Sequence, residues 1–167
     1  MATTQVLSSK GNLAGPDSGH QFHVEVQLGY DGKTSTGYKM YRRCLVYVDK
    51  NTSGSTISSN LTVSWSSTKY SLGNTTGLKV DSGWVYLGEY AYGDTVSYSA
   101  NCYYTRSSGQ TAKSETTAKY TIPYENIGWV KDGDTFKKGS TYVKTEDVWA
   151  PAIGFVKVDG VWEQGVV

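Results

Sequence analysis

The chain has 167 residues and a net charge of +1 at pH 7, and it is rich in glycine (19) and tyrosine (14) but poor in proline (3). Abundant aromatic residues together with Gly, Ser and Thr favour strands and turns over helices, and the length suits one domain plus a small appendage. The longest basic runs are the pairs Arg42–Arg43 and Lys137–Lys138, which argues against a nucleic-acid partner because phosphate binding needs clustered cations.

The N-terminal segment, residues 1–19, shows no hydrophobic periodicity and contains Pro16 and three glycines. We therefore predict an extended or disordered arm, a kind of segment that in an assembly often lies on a neighbouring subunit. The segment lacks the basic and apolar regions of a signal peptide. No other stretch approaches the roughly 20 apolar residues of a membrane span, so we expect synthesis in a cytoplasm and no membrane partner.

Residues 20–123 alternate apolar and polar positions in short runs, which is typical of antiparallel strands with one buried face. The first run, 22–30, is expected to end in a turn at Asp31-Gly32. The later runs are 38–48, 61–65, 84–92, 96–104 and 116–122. Arg42 interrupts the apolar face of the second run, so that strand is expected to leave the core there. Strands at this spacing, without a helix, predict an all-β fold with an antiparallel β-sandwich of the jelly-roll or Ig-like kind.

The two cysteines, Cys44 and Cys102, fall on predicted strand faces with an apolar majority. They are expected either as small buried hydrophobic residues or as a disulfide between facing strands. Cys44, Trp65 and Cys102 occur in the order of an antibody-type domain, but Trp65 follows Cys44 by 21 residues, which is too far for that pattern. A generic sandwich remains the prediction.

The C-terminal third, residues 124–167, repeats a pattern of thirteen residues three times. An aromatic-Val-Lys triplet begins each repeat, and a second aromatic residue follows seven positions later, giving Trp129 and Phe136, Tyr142 and Trp149, and Phe155 and Trp162. Each unit suits one β-hairpin, with tight turns offered by Asp132-Gly133 and Asp159-Gly160. Hairpins this small bury too little apolar surface to offset the ordering of their backbone. We therefore predict that the six aromatic residues form an assembly interface and that the chain is a homo-oligomer.

Two stretches carry a resemblance to a known family. Residues 70–100 alternate Ser/Thr-rich strands with a Gly-Asp turn ahead of a long strand, and the repeats are clearest in Phe155-Val-Lys-Val-Asp-Gly-Val-Trp. In these features the chain resembles minor structural, tail-tip and fibre proteins of siphophages that infect Gram-positive bacteria. Phe136 departs from the repeat, which has Trp there, and the middle unit lacks the Asp-Gly turn.

The resemblance implies a virion component made in the host cytoplasm. It further implies a role in particle assembly, with other virion proteins and copies of the chain as partners, often as a trimer, and with host-surface attachment as a second role. A stand-alone carbohydrate-binding module or adhesin is the alternative function. Such a module would be retained on a purified cell wall or a polysaccharide column.

No motif in the sequence indicates catalysis: there is no hydrolase elbow, phosphate loop, HExxH motif or CxxC pair. The only histidines, His20 and His23, are three apart on a predicted strand and so point to opposite faces, which disfavours a shared metal. We expect no enzyme activity, cofactor or metal site.

The candidate binding residues of the first domain are four aromatic residues near one turn, Trp84, Tyr86, Tyr90 and Tyr92. Flat rings with polar edges stack on the faces of sugars and anchor protein interfaces. We predict that they bind a glycan or a protein. The other interpretation is that they are packing residues of the sandwich.

Overall fold

The structure, a computed structural model, describes residues 3–17, 19–34, 37–52, 61–106, 108–123, 127–132, 135–140, 142–145, 148–151, 155–158 and 161–164. In these ranges every element of regular secondary structure is a β-strand, and the strand pairs are antiparallel. This confirms the prediction of an all-β protein with antiparallel sheets. The chain divides into two compact units, Met1–Ile122 and Pro123–Val167.

The first unit contains two antiparallel sheets. Its strands are β1 (Thr4–Lys10), β2 (Ala14–Asp17), β3 (His20–Lys33), β4 (Gly37–Asn51), β5 (Leu61–Val63), β6 (Ser66–Tyr70), β7 (Gly77–Asp81), β8 (Val85–Ala91), β9 (Thr95–Thr105) and β10 (Thr111–Thr121). A six-stranded sheet has the order β1-β3-β4-β7, with β2 also paired to β3 and β8 also paired to β4. A four-stranded sheet has the order β10-β9-β5-β6.

One hydrophobic cluster joins the two sheets. Phe22 and Leu28 of β3 are fully buried in it, as are Leu61 of β5 and Val96 of β9. Across the cluster the ring of Phe22 packs edge-to-face on Tyr104 of β9, with 6.3 Å between ring centres. The buried positions of β3 and β9 follow the two-residue alternation of the sequence, since successive side chains of a strand point to opposite faces.

The segment predicted as an extended or disordered arm contains two strands of the six-stranded sheet, β1 and β2. β1 pairs with β3 from Lys10↔Glu25 to Thr4↔Tyr30, and β2 pairs with the start of β3. Both are edge strands, and β1 is only partly buried along its length. An edge strand with little buried surface needs no apolar stripe, so its sequence shows no periodicity.

Residues near Asn12 also cover the edge of the four-stranded sheet. The Asn12 side chain donates from Nδ2 to the carbonyl oxygen of Lys113 (3.1 Å), and its Oδ1 accepts from the backbone N–H of Glu115 (3.0 Å). The side-chain amide thus pairs with the backbone groups of β10 as a neighbouring strand would.

Ser114 links the two sheets in the interior. Its hydroxyl, fully buried, donates to the carbonyl oxygen of Asn12 (2.6 Å) and accepts from the N–H of Val24 on β3 (3.0 Å). The approach requires a glycine at position 11, because a Cβ on Gly11 would lie 2.8 Å from Ser114 Oγ and 2.9 Å from the Glu115 carbonyl oxygen.

Two details of the long strands differ from the sequence-based expectations. β3 does not end at Asp31-Gly32: the ladder continues to Lys33↔Tyr38, with a register shift between Tyr30 and Gly32. β4 does not leave the core at Arg42. The guanidinium lies 4.6 Å from the centre of the Tyr98 ring, and this cation–π contact lets the charge lie beside buried residues.

Both cysteines are free and buried, so they are small buried hydrophobic residues and do not form the alternative disulfide. Cys44 lies on β4 and Cys102 on β9, and both belong to the hydrophobic cluster. Burial raises the pKa of the Cys102 thiol to about 12. Burial also raises the pKa of Cys44, and the cation of Arg42 opposes that shift.

The second unit contains three two-stranded antiparallel sheets. Their strands are β11 (Ile127–Asp132) with β12 (Thr135–Ser140), β13 (Tyr142–Thr145) with β14 (Val148–Pro151), and β15 (Phe155–Val158) with β16 (Val161–Gln164). The innermost pairs are Asp132↔Thr135, Thr145↔Val148 and Val158↔Val161, so the three ladders repeat in phase every thirteen residues. Asp132 is therefore the last residue of β11. The other predicted turn residues, Gly133 and Asp159-Gly160, lie outside the described residues.

Candidate functional site

The four candidate aromatic residues of the first unit divide between two faces of the six-stranded sheet. Tyr90 and Tyr92 pack against the hydrophobic cluster, and Tyr92 meets Tyr38 edge-to-face at 5.8 Å. Tyr86 pairs with Tyr41 on the opposite face. Tyr86 and Tyr90 would share a face in a regular strand, but the register of β8 shifts there, since Tyr41 pairs with Tyr86 and the preceding residue of β4 pairs with Gly88. The extra residue of this bulge reverses the alternation. The four residues therefore do not form one site.

The face that carries Tyr86 is here called the outer face, the side of the six-stranded sheet turned away from the hydrophobic cluster. Its positions are His23, Glu25, Gln27 and Gly29 on β3, Tyr41, Arg43, Leu45 and Tyr47 on β4, and Tyr86 on β8. This face is polar along β3 and aromatic near β8. Ring contacts between His23 and Tyr47 and between Tyr41 and Tyr86 distinguish it from a face that only solvent covers.

The side chain of Trp84 reaches across the outer face. Its backbone precedes β8 at the edge of the sheet, yet a Cβ on Gly29 of β3 would lie 3.0 Å from Cη2 of its indole ring. β4 separates β8 from β3, so the indole extends from the edge across β4 to Gly29. The residue is partly exposed there.

The segment before β8 fixes the position of Trp84. The N–H of Ser82 donates to the carbonyl oxygen of Cys44 (3.0 Å), and its Oγ accepts from the Cys44 N–H (2.8 Å). Gly83, with φ of 64°, donates its N–H to Oδ1 of Asp81 (2.8 Å). A left-handed φ of this size suits glycine, which has no Cβ. These bonds hold the turn against β4.

Arg43 and Asp81 form a two-point ion pair beside this turn. Nε of Arg43 lies 2.9 Å from Oδ1 of Asp81, and its Nη2 lies 2.5 Å from Oδ2. Parallel bonds of this kind are among the stronger charge-assisted contacts. The Arg43 guanidinium lowers the pKa of the Asp81 carboxyl, so Asp81 stays charged and keeps its bond to Gly83.

Tyr41 and Tyr86 form an aromatic pair, and Tyr41 is the ladder partner of Gly29, the residue that the Trp84 indole reaches. Their ring centres are 5.3 Å apart with the planes tilted by 56°, and Tyr86 is 51% exposed. The Tyr41 hydroxyl is hydrogen-bonded to the Asp31 carboxylate, which raises the pKa of Tyr41. Asp31 occupies the register shift of β3, so the interruption of that ladder supplies a carboxylate to the outer face.

A second cluster on the outer face centres on His23. The residue is 4% exposed, and its imidazole stacks on Tyr47 with ring centres 5.2 Å apart and planes within 9°. Its Nδ1 lies 2.5 Å from Oδ2 of Asp49, and Lys10 lies 3.6 Å from the other oxygen. Within the described ranges, no group of three or more His, Cys, Asp or Glu side chains is placed to hold a metal ion.

The six aromatic residues predicted as an assembly interface lie in strands of the second unit. Trp129 pairs with Lys138 and Phe136 with Lys131, Tyr142 pairs with Pro151 and Trp149 with Lys144, and Phe155 pairs with Gln164 and Trp162 with Lys157. In each sheet the two aromatic positions are in neighbouring same-face pairs, since a ladder alternates faces at every residue. The register thus places both aromatic positions of each repeat on one face.

Gly29 offers a test of how tightly the outer face is packed. Gly29→Ala is expected to lower the free energy of unfolding by about 1–3 kcal/mol, because its Cβ would lie 2.7 Å from the carbonyl oxygen of Thr4 and 3.0 Å from Trp84. Gly32→Ala, on the same strand with open space around the new Cβ, is the matched control and should change it by less than about 0.5 kcal/mol. Urea unfolding followed by tryptophan fluorescence measures both. Equal effects of the two substitutions would contradict the close packing around Gly29.

Among the residues that the structure describes, no helix is long and apolar enough to cross a membrane. Comparison of the chain with protein-family models, with curated proteins and with solved structures found no match.

Proposed function

We propose that this chain is a structural protein of a phage virion, placed in a tail tip, a fibre or a surface decoration. In this proposal the two sheets of the first unit form a β-sandwich of the jelly-roll or Ig-like kind. The second unit is an array of three hairpin repeats that docks on other virion proteins and on copies of the chain, as a trimer. The resemblance of the repeats to siphophage fibre proteins supports this assignment.

The observation that carries the proposal is the constant phase of the three small ladders. The innermost residue pair of each ladder lies thirteen residues after that of the preceding ladder, and each ladder has two aromatic positions on one face. A two-stranded sheet is at best marginally stable by itself in water. Repeated units that cannot bury their apolar face alone are stabilised by stacking on neighbours or on a partner.

The assembly part of the proposal is tested by sedimentation equilibrium of the full chain. We expect a mass near three times 18.3 kDa. Replacing Trp129, Trp149 and Trp162 together with alanine should yield a monomer, because aromatic anchors contribute most of the energy of an interface. Tyr103→Ala, an exposed aromatic residue of the first unit, is the control and should leave the trimer intact. A wild-type monomer whose C-terminal third resists protease would contradict the proposal.

The virion part has a separate test, immunolabelling of purified phage particles with an antibody against this chain in negative-stain images. Label at one fixed place on the particle is the expected result. Absence of label on particles from a host that expresses the chain would overturn the virion assignment and leave the assembly result as it stands.

A further inference from the structure

We infer that the outer face carries a binding site for a neutral polysaccharide, formed by Trp84, Tyr86 and Tyr41 with Asp31 beside them. The site lies in the first unit, so it does not depend on assembly through the repeats. The same surface would serve a virion protein that attaches to a cell or a free adhesin.

The first argument is the form of the aromatic surface. The indole of Trp84, which is partly exposed, reaches from the sheet edge to Gly29, the ladder partner of Tyr41. The ring centre of Tyr41 lies 5.3 Å from that of Tyr86, which is 51% exposed. Rings held in this way offer apolar surface to the C–H groups of pyranose sugars, and their conformational cost is low because few torsions remain free.

The second argument is the hydrogen-bonding group at the rim of the rings. The Asp31 carboxylate is oriented by the Tyr41 hydroxyl. A carboxylate has lone pairs for several donors, so one bond from Tyr41 leaves acceptor capacity for sugar hydroxyls. A stacking surface beside an oriented acceptor suits a ligand that is apolar on its ring faces and rich in hydroxyl donors at its edges.

The third argument is the charge of the outer face, which disfavours an anionic polymer. Three cations on or beside this face already lie next to carboxylates. Arg43 is paired with Asp81, Lys39 lies 4.0 Å from Glu89, and Lys10 lies 3.6 Å from Asp49. Binding of a phosphate polymer depends on cations that release counterions. With these cations paired and Asp31 adding a negative charge, a neutral chain is the complementary ligand.

A protein partner fits the same face less well. Within the described residues the exposed large hydrophobic side chains are Leu13, Leu78, Val85, Tyr86 and Tyr103. Of these, only Leu78 and Tyr86 are paired with outer-face residues, Tyr47 and Tyr41 respectively. The outer face also carries the Arg43–Asp81 ion pair and the Asp31 carboxylate, whereas the buried centre of a protein interface is depleted in charged residues.

The test is binding of the full chain to an array of neutral oligosaccharides that includes β-1,4-glucans, chitooligosaccharides, galactans and rhamnans, followed by calorimetric titration with the best ligand. We expect binding that changes little between 50 and 500 mM salt. Tyr86→Ala should weaken the affinity about tenfold, because one stacking ring is lost. Asp31→Asn should weaken it less. Tyr103→Ala is the matched control, since Tyr103 is a similarly exposed tyrosine (39%) on the other sheet, and it should bind as wild type.

Three outcomes would overturn the inference. Wild-type protein, folded by circular dichroism, binds none of the neutral glycans; or Tyr86→Ala binds as tightly as wild type; or the chain prefers polyglycerol phosphate, with an affinity that falls steeply as salt rises. If the wild type binds no neutral glycan and Tyr86→Ala changes the sedimentation of the chain, the outer face is a protein interface instead. Loss of the trimer in the repeat variants, with glycan binding retained, separates this site from the assembly function.

Discussion

Replacing Ser114 with alanine is expected to lower the free energy of unfolding by about 2–4 kcal/mol. The substitution removes the hydroxyl that donates to the Asn12 carbonyl oxygen and accepts from the Val24 N–H. Both backbone groups would lose this partner, the Val24 N–H in a buried position and the Asn12 carbonyl in a partly buried one. An unsatisfied buried polar group costs about 1–3 kcal/mol, and two groups are affected, so the effect should be large for a change of one atom.

Two further variants give this prediction its controls. Ser99→Ala removes a serine hydroxyl of the same sheet that bonds to Thr117 in an exposed position, and it should cost less than about 0.5 kcal/mol. Asn12→Ala breaks the exposed bonds to Lys113 and Glu115, whose backbone groups can bond to water, so an intermediate loss is expected. Urea unfolding of the four proteins measures the series. A loss for Ser114→Ala no larger than that for Ser99→Ala would show that the buried link does not stabilise the fold.

Stability should fall at alkaline pH through the thiol of Cys102. Burial raises the pKa of this group from 9.0 to about 12, so the native state retains a proton that the unfolded state releases. The contribution is complete below pH 9 and is lost as the pH rises from 9 to 12. The slope is at most about 1.4 kcal/mol per pH unit, or about 4 kcal/mol across the window. The measurement is urea unfolding at several pH values for wild type and Cys102→Ala.

The difference between the two pH profiles isolates Cys102, because the tyrosines titrate in both proteins. Below pH 9, Cys102→Ala should be less stable than wild type, since a buried side chain is truncated. Above pH 9 its stability should fall less steeply than that of wild type. Cys44→Ala should flatten the profile less, because Arg42 opposes the upward pKa shift of Cys44. Parallel profiles for wild type and Cys102→Ala would contradict the buried thiol. Slow labelling of native protein by a thiol reagent at pH 8 is the matching chemical result.

The strands that sequence alone predicted well are those with one strongly apolar face. β3, β4 and β9 were found from the alternation of residues such as Val24, Val46 and Val96, and all three residues are buried. β10 was expected to start at Thr116, but it starts at Thr111. The buried positions of its first half are Ala112 and Ser114. A methyl group and a hydroxyl give no hydrophobic signal, although the hydroxyl is held by specific bonds to other strands.

The sequence alone predicted only some residues of the outer face. Trp84 and Tyr86 were singled out as aromatic residues near a turn, and the structure keeps them together but separates them from Tyr90 and Tyr92. The separation comes from the register shift at Gly88, whose φ of 150° is unusual for a side-chain-bearing residue. Tyr41 was not singled out, because its place beside Tyr86 depends on a pairing between β4 and β8. Such long-range pairing is not encoded in local periodicity.

The side chain of Asn12 has a consequence for how the protein behaves at high concentration. Outer strands of sheets present backbone donors and acceptors that can recruit a strand from another molecule and so begin a fibre. At Lys113 and Glu115 these groups are already occupied by an amide of the same chain. A few N-terminal residues thereby prevent a further strand from pairing with that edge of β10. In a crowded particle this protects the edge from pairing with a strand of another molecule.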